Sequence, residues 1–275
     1  MERGGHEHPL ARALARARDE HVAEVGNLPF FTAPPGARAA ALLVHGFTAS
    51  PWEMRPVASD LGRRGYACLA VRLPGHGTTP DDLAKRRWEE WDSAVIQGFD
   101  LLTESFGRVY GVGLSTGALL LLTMALQRQP AGVVLLSPYL RLQHRLAPFA
   151  GWLRFVRPYQ KRNQTLPESP HYYSRRPLAG VHQINRLVRH LSPSLHRITA
   201  PVLAVHGEGD QTVDIESGRE LVRRMGSAVK VYERLGRDAP HVLTDGSNPH
   251  RRAVFELVGR FLEDMEGQRG DAESR

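Results

Sequence analysis

The sequence predicts an α/β fold built on a mostly parallel, doubly wound sheet, with helices on both faces and an inserted helical cap. Three observations carry this. Short apolar runs at 39–44, 66–71, 108–112, 132–136, 201–205 and 229–232 alternate with helical patterns, the order that parallel strands and crossover helices produce. One interval, 138–197, breaks the alternation with helical patches and no convincing strand, and reads as the cap. The whole runs to 275 residues with 41% hydrophobic and 24% charged, which suits one α/β domain carrying an insertion.

The flanks are weaker. Residues 1–26 are too charged for a signal peptide and read as an N-terminal arm, with 10–25 a short amphipathic helix or a loosely held segment. Residues 267–275 read as a disordered tail. No stretch approaches the length of apolar sequence that crosses a bilayer. The single cysteine, Cys68, lies in an apolar strand; it allows no intrachain disulfide, and a reducing cytoplasm is the default location. There is no internal repeat, no Cys/His metal spacing and no phosphate-cradling glycine loop, so neither metal nor nucleotide cofactor is expected.

Parallel sheets hold their chemistry at the carboxyl ends of strands, and the turn after 108–112 is the most specific feature there. Gly113-Leu114-Ser115-Thr116-Gly117 joins a β-branched and aromatic run to the apolar helical run 118–126. Glycines on both sides of the serine permit a turn too tight for side chains and leave the Ser115 hydroxyl exposed above the sheet, the geometry of a nucleophile. A serine hydroxyl is protonated at neutral pH, so it requires a base and a group to orient the base.

Both follow in chain order. The strand 201–205 runs into His206-Gly207-Glu208-Gly209-Asp210, which puts Asp210 in the loop beyond it; Asp214 competes, but precedes a helical run and reads as its cap. Of the 13 histidines, His241 alone both follows the last strand and completes the order Ser115, Asp210, His241. The Thr116 N–H, in the first turn of a helix, is an oxyanion donor. The second donor is assigned to the Phe47 N–H, in the loop after the strand that ends in His45-Gly46, with His45 structural.

The cap carries apolar side chains that can line an acyl pocket, among them Leu142, Leu146, Phe149 and Trp152. It is also basic: eleven Arg and Lys against the single acid Glu168, a net charge near +10 that exceeds the +7 of the whole chain. That excess suggests peripheral contact with an anionic membrane. The competing reading is a solvated face whose arginines find partners among the acids of the body. Nucleic-acid binding is not expected, because no binding motif accompanies the charge.

These residues resemble the bacterial carboxylesterase and monoacylglycerol lipase group of the α/β-hydrolase superfamily. The likeness rests on Leu42-Leu43-Val44-His45-Gly46-Phe47-Thr48, Met54-Arg55-Pro56, Arg72-Leu73-Pro74-Gly75-His76-Gly77-Thr78, the turn at Ser115, Asp210-Gln211-Thr212-Val213 and His241-Val242-Leu243-Thr244. It covers roughly 39–261 apart from the cap. It departs at Ala118, where a second glycine is common, and at Pro240, where a small or polar residue is more usual. The resemblance implies the α/β-hydrolase fold, hydrolysis of short to medium acyl esters or monoacylglycerols without a cofactor, and Phe47 and Thr116 as oxyanion donors. Two alternatives stay open: a thioesterase or amidase using the same three residues, and a non-catalytic binding protein on the same fold.

Overall fold

The computed structural model of the protein describes every residue except 1–9, 11–13, 15–16, 145–146, 162–168 and 274–275, with the backbone alone for 268–273. Its centre is a seven-stranded sheet in the order β1-β3-β2-β4-β5-β8-β9. The strands are β1 (Phe30–Thr32), β2 (Ala40–Val44), β3 (Ala67–Val71), β4 (Val109–Leu114), β5 (Gly132–Leu136), β8 (Val202–Gly207) and β9 (Lys230–Leu235). All neighbours run parallel except β1, which pairs antiparallel with β3 at the edge.

The apolar runs of β2, β3, β4, β5 and β8 are buried on both faces, as parallel strands between two helical layers must be, while β9 at the far edge is half-exposed. Period-2 alternation divides them: Ala40, Leu42 and Val44 join one core cluster, while Ala41 and Leu43 join the other. The first cluster is completed by α3 (Trp88–Thr103), α4 (Thr116–Ala125) and α6 (Leu178–Leu191), the second by α1 (Arg55–Arg63) and α8 (Arg251–Glu273). The remaining helices are α2 (Pro80–Lys85), α5 (Ala150–Leu153) and α7 (Ile215–Arg224).

From β2 the chain winds outward to β3, then crosses back to β4 and winds the other way. The order therefore reverses between β2 and β4, and a crevice opens at the carboxyl ends of these two strands. Phe47 follows one and Ser115 the other.

Three expectations need correction. The cap is not wholly helical: Tyr159–Lys161 (β6) and Arg175–Pro177 (β7) form a two-stranded antiparallel ribbon beside α2 and α6. Residues 267–273, read as disordered tail, continue α8 to Glu273; residues 274–275 lie outside the described residues. The edge strand β1 was not foreseen at all. The arm, by contrast, docks: residues 17–19 are helical, Ala17 is buried, and the Glu20 carboxylate pairs with the Arg72 guanidinium.

Candidate active site

Ser115 sits at φ +56°, ψ −115° between β4 and α4, a conformation side chains rarely adopt and one that surrounding structure must impose. The glycines explain how. A Cβ on Gly113 would lie 2.6 Å from the Gly117 carbonyl, and one on Gly117 would lie 2.2 Å from the Val44 carbonyl oxygen, so only glycine lets α4 start this close to β2 and β4. The Ser115 N–H donates to the Leu136 carbonyl at 2.7 Å, tying the turn to the next strand.

The structure brings Ser115, Asp210 and His241 together. The Ser115 Oγ lies 3.0 Å from His241 Nε2, and His241 Nδ1 lies 2.6 Å from Asp210 Oδ2. The other carboxylate oxygen, Asp210 Oδ1, accepts the N–H groups of Thr212 and Val213 at 2.7 and 3.1 Å. Burial works to raise the Asp210 carboxyl, but the charge and hydrogen bond of His241, with the two backbone donors, hold it below the ordinary carboxylate range. Asp210 is thus an anion at neutral pH, aimed at one imidazole nitrogen, while the other nitrogen faces the serine. The loop behind it is closed by Gly209 N–H donating to the Ala239 carbonyl at 3.1 Å, and Ser137 Oγ holds the His241 carbonyl at 2.8 Å.

Asp214 lies elsewhere. It caps α7, accepting the N–H of Glu216 at 3.0 Å and of Ser217 at 3.4 Å, and pairs with Arg141, as expected of a helix start.

Ser115, Thr116 and Phe47 line one cavity of about 60 Å³, with His241, Tyr139, Leu142, Ile184, Arg176 and Glu53 also in its wall. Neither the Phe47 nor the Thr116 N–H has a backbone partner among the described residues, so both are available to a ligand. Of the four cap residues expected at an acyl pocket, Leu142 lines the cavity. Phe149 and Trp152 do not: they are 60% and 70% exposed on the outer surface of the cap. Leu146 lies outside the described residues.

Two buried residues in this wall escaped the sequence reading. Glu53 accepts the Gly46 N–H at 2.6 Å, which fixes the loop that presents Phe47. The available signal was an acid inside the otherwise apolar run Pro51-Trp52-Glu53-Met54. Tyr139 follows the carboxyl end of β5, the location where a parallel sheet puts its functional side chains.

His45, His76 and His206 are buried histidines packed beneath these loops. The His45 Nε2 accepts the Leu73 N–H at 3.2 Å, leaving Nδ1 to donate to the Gly46 carbonyl at 2.9 Å, so the ring is neutral and structural. Burial, with Arg72 nearby, pushes His45 down to about 4 against the Gly46 hydrogen bond, and burial takes His206 to about 4 despite Asp210 and the Pro138 carbonyl. His76 is lowered the same way, by burial and by His45 beside it.

A stability prediction follows from the sign of these shifts. In the unfolded chain each ring takes a proton near pH 6.5, whereas in the fold it resists until about pH 4, so stability falls as pH drops through that window. His45 and His206 each account for a loss of about 2 kcal/mol at pH 5 relative to pH 7.5. Urea midpoints measured from pH 7.5 to 4.5 should decline steadily below 6.5; a flat profile down to pH 5 would contradict the neutral buried rings.

Among the described residues no group of three or more His, Cys, Asp or Glu side chains is gathered as a metal site requires, and no helix is long and apolar enough to cross a membrane.

Comparison with known proteins gives a consistent setting for this geometry. A family model described as the alpha/beta hydrolase family matches residues 41–256. The chain is 26% identical over 239 residues to a carboxylesterase of Bacillus subtilis (strain 168), covering 84% of this chain and 95% of the relative. It is 29% identical over 226 residues to a thermostable monoacylglycerol lipase of Bacillus sp. (strain H-257), covering 80% and 88%. Among solved structures, a metagenome-derived lipolytic enzyme superposes with a TM-score of 0.79 at 24% identity, covering 87% of this chain and 98% of that one.

Proposed function

The chain belongs to the alpha/beta hydrolase family, and on that premise we propose that it is a serine hydrolase of carboxylic esters, acting on short to medium acyl esters or monoacylglycerols. The observation that carries the reading is the continuous line of hydrogen-bonding distances from Asp210 through His241 to Ser115. The names of the carboxylesterase and monoacylglycerol lipase relatives support the substrate class.

In this reading Ser115 Oγ attacks the ester carbonyl carbon while His241 Nε2 takes its proton. The imidazolium is stabilised by the Asp210 carboxylate, and the new oxyanion is held by the N–H groups of Phe47 and Thr116. Collapse of the tetrahedral species expels the alcohol, which receives the proton from His241 and leaves an acyl group on Ser115. Water then attacks with His241 again as base, and the acid departs. No step calls for a metal or an organic cofactor. The buried Cys68 thiol, pushed up to about 12 by burial, stays protonated and takes no part in these steps.

A second element of the reading concerns where the ester is met. Phe149, Trp152, Phe155 and Val156 are 60 to 76% exposed and stand beside Arg154 and Arg157, for which no acidic partner is found among the described residues. Large exposed apolar side chains flanked by cations suit the interface of an anionic membrane. Part of the remaining cap charge is neutralised within the protein: Arg141 pairs with Asp214 and Glu220, Arg175 with Asp81, and Arg186 with Glu89.

One experiment tests both elements. Esters from acetyl to palmitoyl are offered in solution and on vesicles of neutral or anionic lipid, at low and high salt. Turnover with labelling by a serine-reactive phosphonate is the expected result, and its complete absence defeats the hydrolase reading. Faster turnover on anionic than on neutral vesicles, lost at high salt, is expected of the cap; indifference to lipid charge defeats the membrane element alone.

A further inference from the structure

The chain enters the cap through Arg141, Leu142 and Gln143, and these residues lie against the loop that carries Asp210. The Asp214 N–H donates to the Arg141 carbonyl and the Gln143 N–H to the Thr212 carbonyl, each at 3.0 Å, which pairs Leu142 with Val213 as an isolated antiparallel bridge. Extended chain alternates its side chains. Leu142 lines the cavity that holds Ser115, whereas Arg141 and Gln143 are exposed. The Gln143 side chain still has a defined partner, because its Nε2 donates to the Asp210 carbonyl at 3.0 Å.

Gln143 therefore holds the acid loop at two points. One is the backbone of Asp210 itself. The other is the peptide group between Thr212 and Val213, whose carbonyl accepts the Gln143 N–H while its own N–H, that of Val213, donates to Asp210 Oδ1 at 3.1 Å. A peptide group is planar and stiff, so the bond made on one side constrains the direction of the bond made on the other. The Asp210 carboxylate lies 2.6 Å from His241 Nδ1, and His241 Nε2 lies 3.0 Å from Ser115 Oγ. Hydrogen-bonding distances thus run without a break from the root of the cap to the nucleophile.

We propose that Gln143 is a positioning residue for Asp210, holding the carboxylate in line with His241 from the cap side. The proposal rests on the reading of Asp210 as the acid behind His241. The partner decides which way the side chain faces: a carbonyl oxygen only accepts, so the amide NH₂ must point at Asp210. Core packing does not account for an exposed residue. Anchoring of the cap root does not account for it either, because Arg141 already pairs with Asp214 and Glu220, and Ser217 Oγ accepts the N–H groups of Leu140 and Arg141 at 3.0 Å.

The test uses Gln143→Leu, Gln143→Glu, Gln143→Lys and Arg141→Ala in the full chain. Readouts are kcat and KM for p-nitrophenyl butyrate, the rate of inactivation by a fluorophosphonate, and Tm. Gln143→Leu removes the donor and should lower kcat and the inactivation rate together by about three- to ten-fold, the worth of one hydrogen bond, with KM within about two-fold. Gln143→Glu turns an acceptor toward the Asp210 carbonyl and should be slower still. Gln143→Lys keeps a donor of similar reach and should recover most of the rate. Arg141→Ala loosens the same segment without touching Asp210, so its kcat should stay within about two-fold of wild type. Wild-type kcat in Gln143→Leu, a loss carried by KM alone, a Gln143→Lys as slow as Gln143→Leu, or an Arg141→Ala equally slow each overturn the proposal. If Gln143→Leu does not fold, the contrast between Gln143→Glu and Gln143→Lys decides alone. A fully active Gln143→Leu beside an inert Ser115→Ala removes only this proposal, whereas a wild-type protein without turnover or labelling removes the hydrolase reading beneath it.

Discussion

Replacing Ser115 with alanine is expected to lower kcat for any activated ester by about 10⁴- to 10⁶-fold and to abolish phosphonate labelling, because the residues of such a line act as a unit. The fold should barely notice. The Ser115 Oγ lies within hydrogen-bonding reach of His241 Nε2, and alanine removes only that oxygen at the cavity wall. The loss of that one bond should cost no more than about 1 kcal/mol, so Tm and the urea midpoint should stay near wild type. His241→Ala should be nearly as inactive, and the Ser115→Ala/His241→Ala double variant no worse than either single. A Ser115→Ala protein that keeps more than about a hundredth of wild-type kcat would place the nucleophile elsewhere.

The elements that were legible in the sequence are those whose residues meet one demand at a time. β2, β4, β5 and β8 are buried on both faces, and a parallel strand in that position has to be a near-continuous apolar run. The turn at Ser115 was legible because close backbone approach at Gly113 and Gly117 excludes every side chain. The missed elements answer to partners far away in sequence. β1 is three residues long, and only its antiparallel partner β3 makes it a strand. β6 and β7 are a polar ribbon, Tyr159–Lys161 against Arg175–Pro177, with no apolar alternation to betray them. The end of α8 carries few apolar residues, and nothing in its composition separated it from a tail.

The site shows the same division. Chain order and strand ends were enough to bring Ser115, Asp210 and His241 to one place, and Phe47 and Thr116 to the same cavity. Side-chain direction within the cap was not legible. Phe149 and Trp152 have the composition of an acyl pocket and the exposure of a surface, because a short helix such as Ala150–Leu153 turns its few residues inward or outward according to tertiary contacts alone. Glu53 and Tyr139 were invisible for another reason: each acts on a neighbour's backbone or hydroxyl, and such contacts leave no spacing to find.

Asp210→Asn should be the severest conservative substitution in the protein, and the geometry says why. In the native loop Asp210 Oδ1 accepts two backbone N–H groups, from Thr212 and Val213, so in the amide the carbonyl oxygen must take that place and the NH₂ must face His241. An NH₂ donates to Nδ1. The imidazole then carries its proton on Nε2, toward Ser115, and cannot accept the serine proton. A loss of about 10⁴-fold in kcat is expected, the size associated with the wrong tautomer in serine hydrolases, with KM little changed and the fold retained. Asp214→Asn supplies the control. Asp214 accepts the Glu216 and Ser217 N–H groups at the start of α7 and pairs with Arg141; asparagine caps a helix as well as aspartate does, and the exposed ion pair contributes little. Its kcat should stay within about three-fold of wild type. Measured side by side on p-nitrophenyl butyrate, the two variants decide the assignment of the acid, and an Asp214→Asn slower than Asp210→Asn would transfer that role from Asp210 to Asp214.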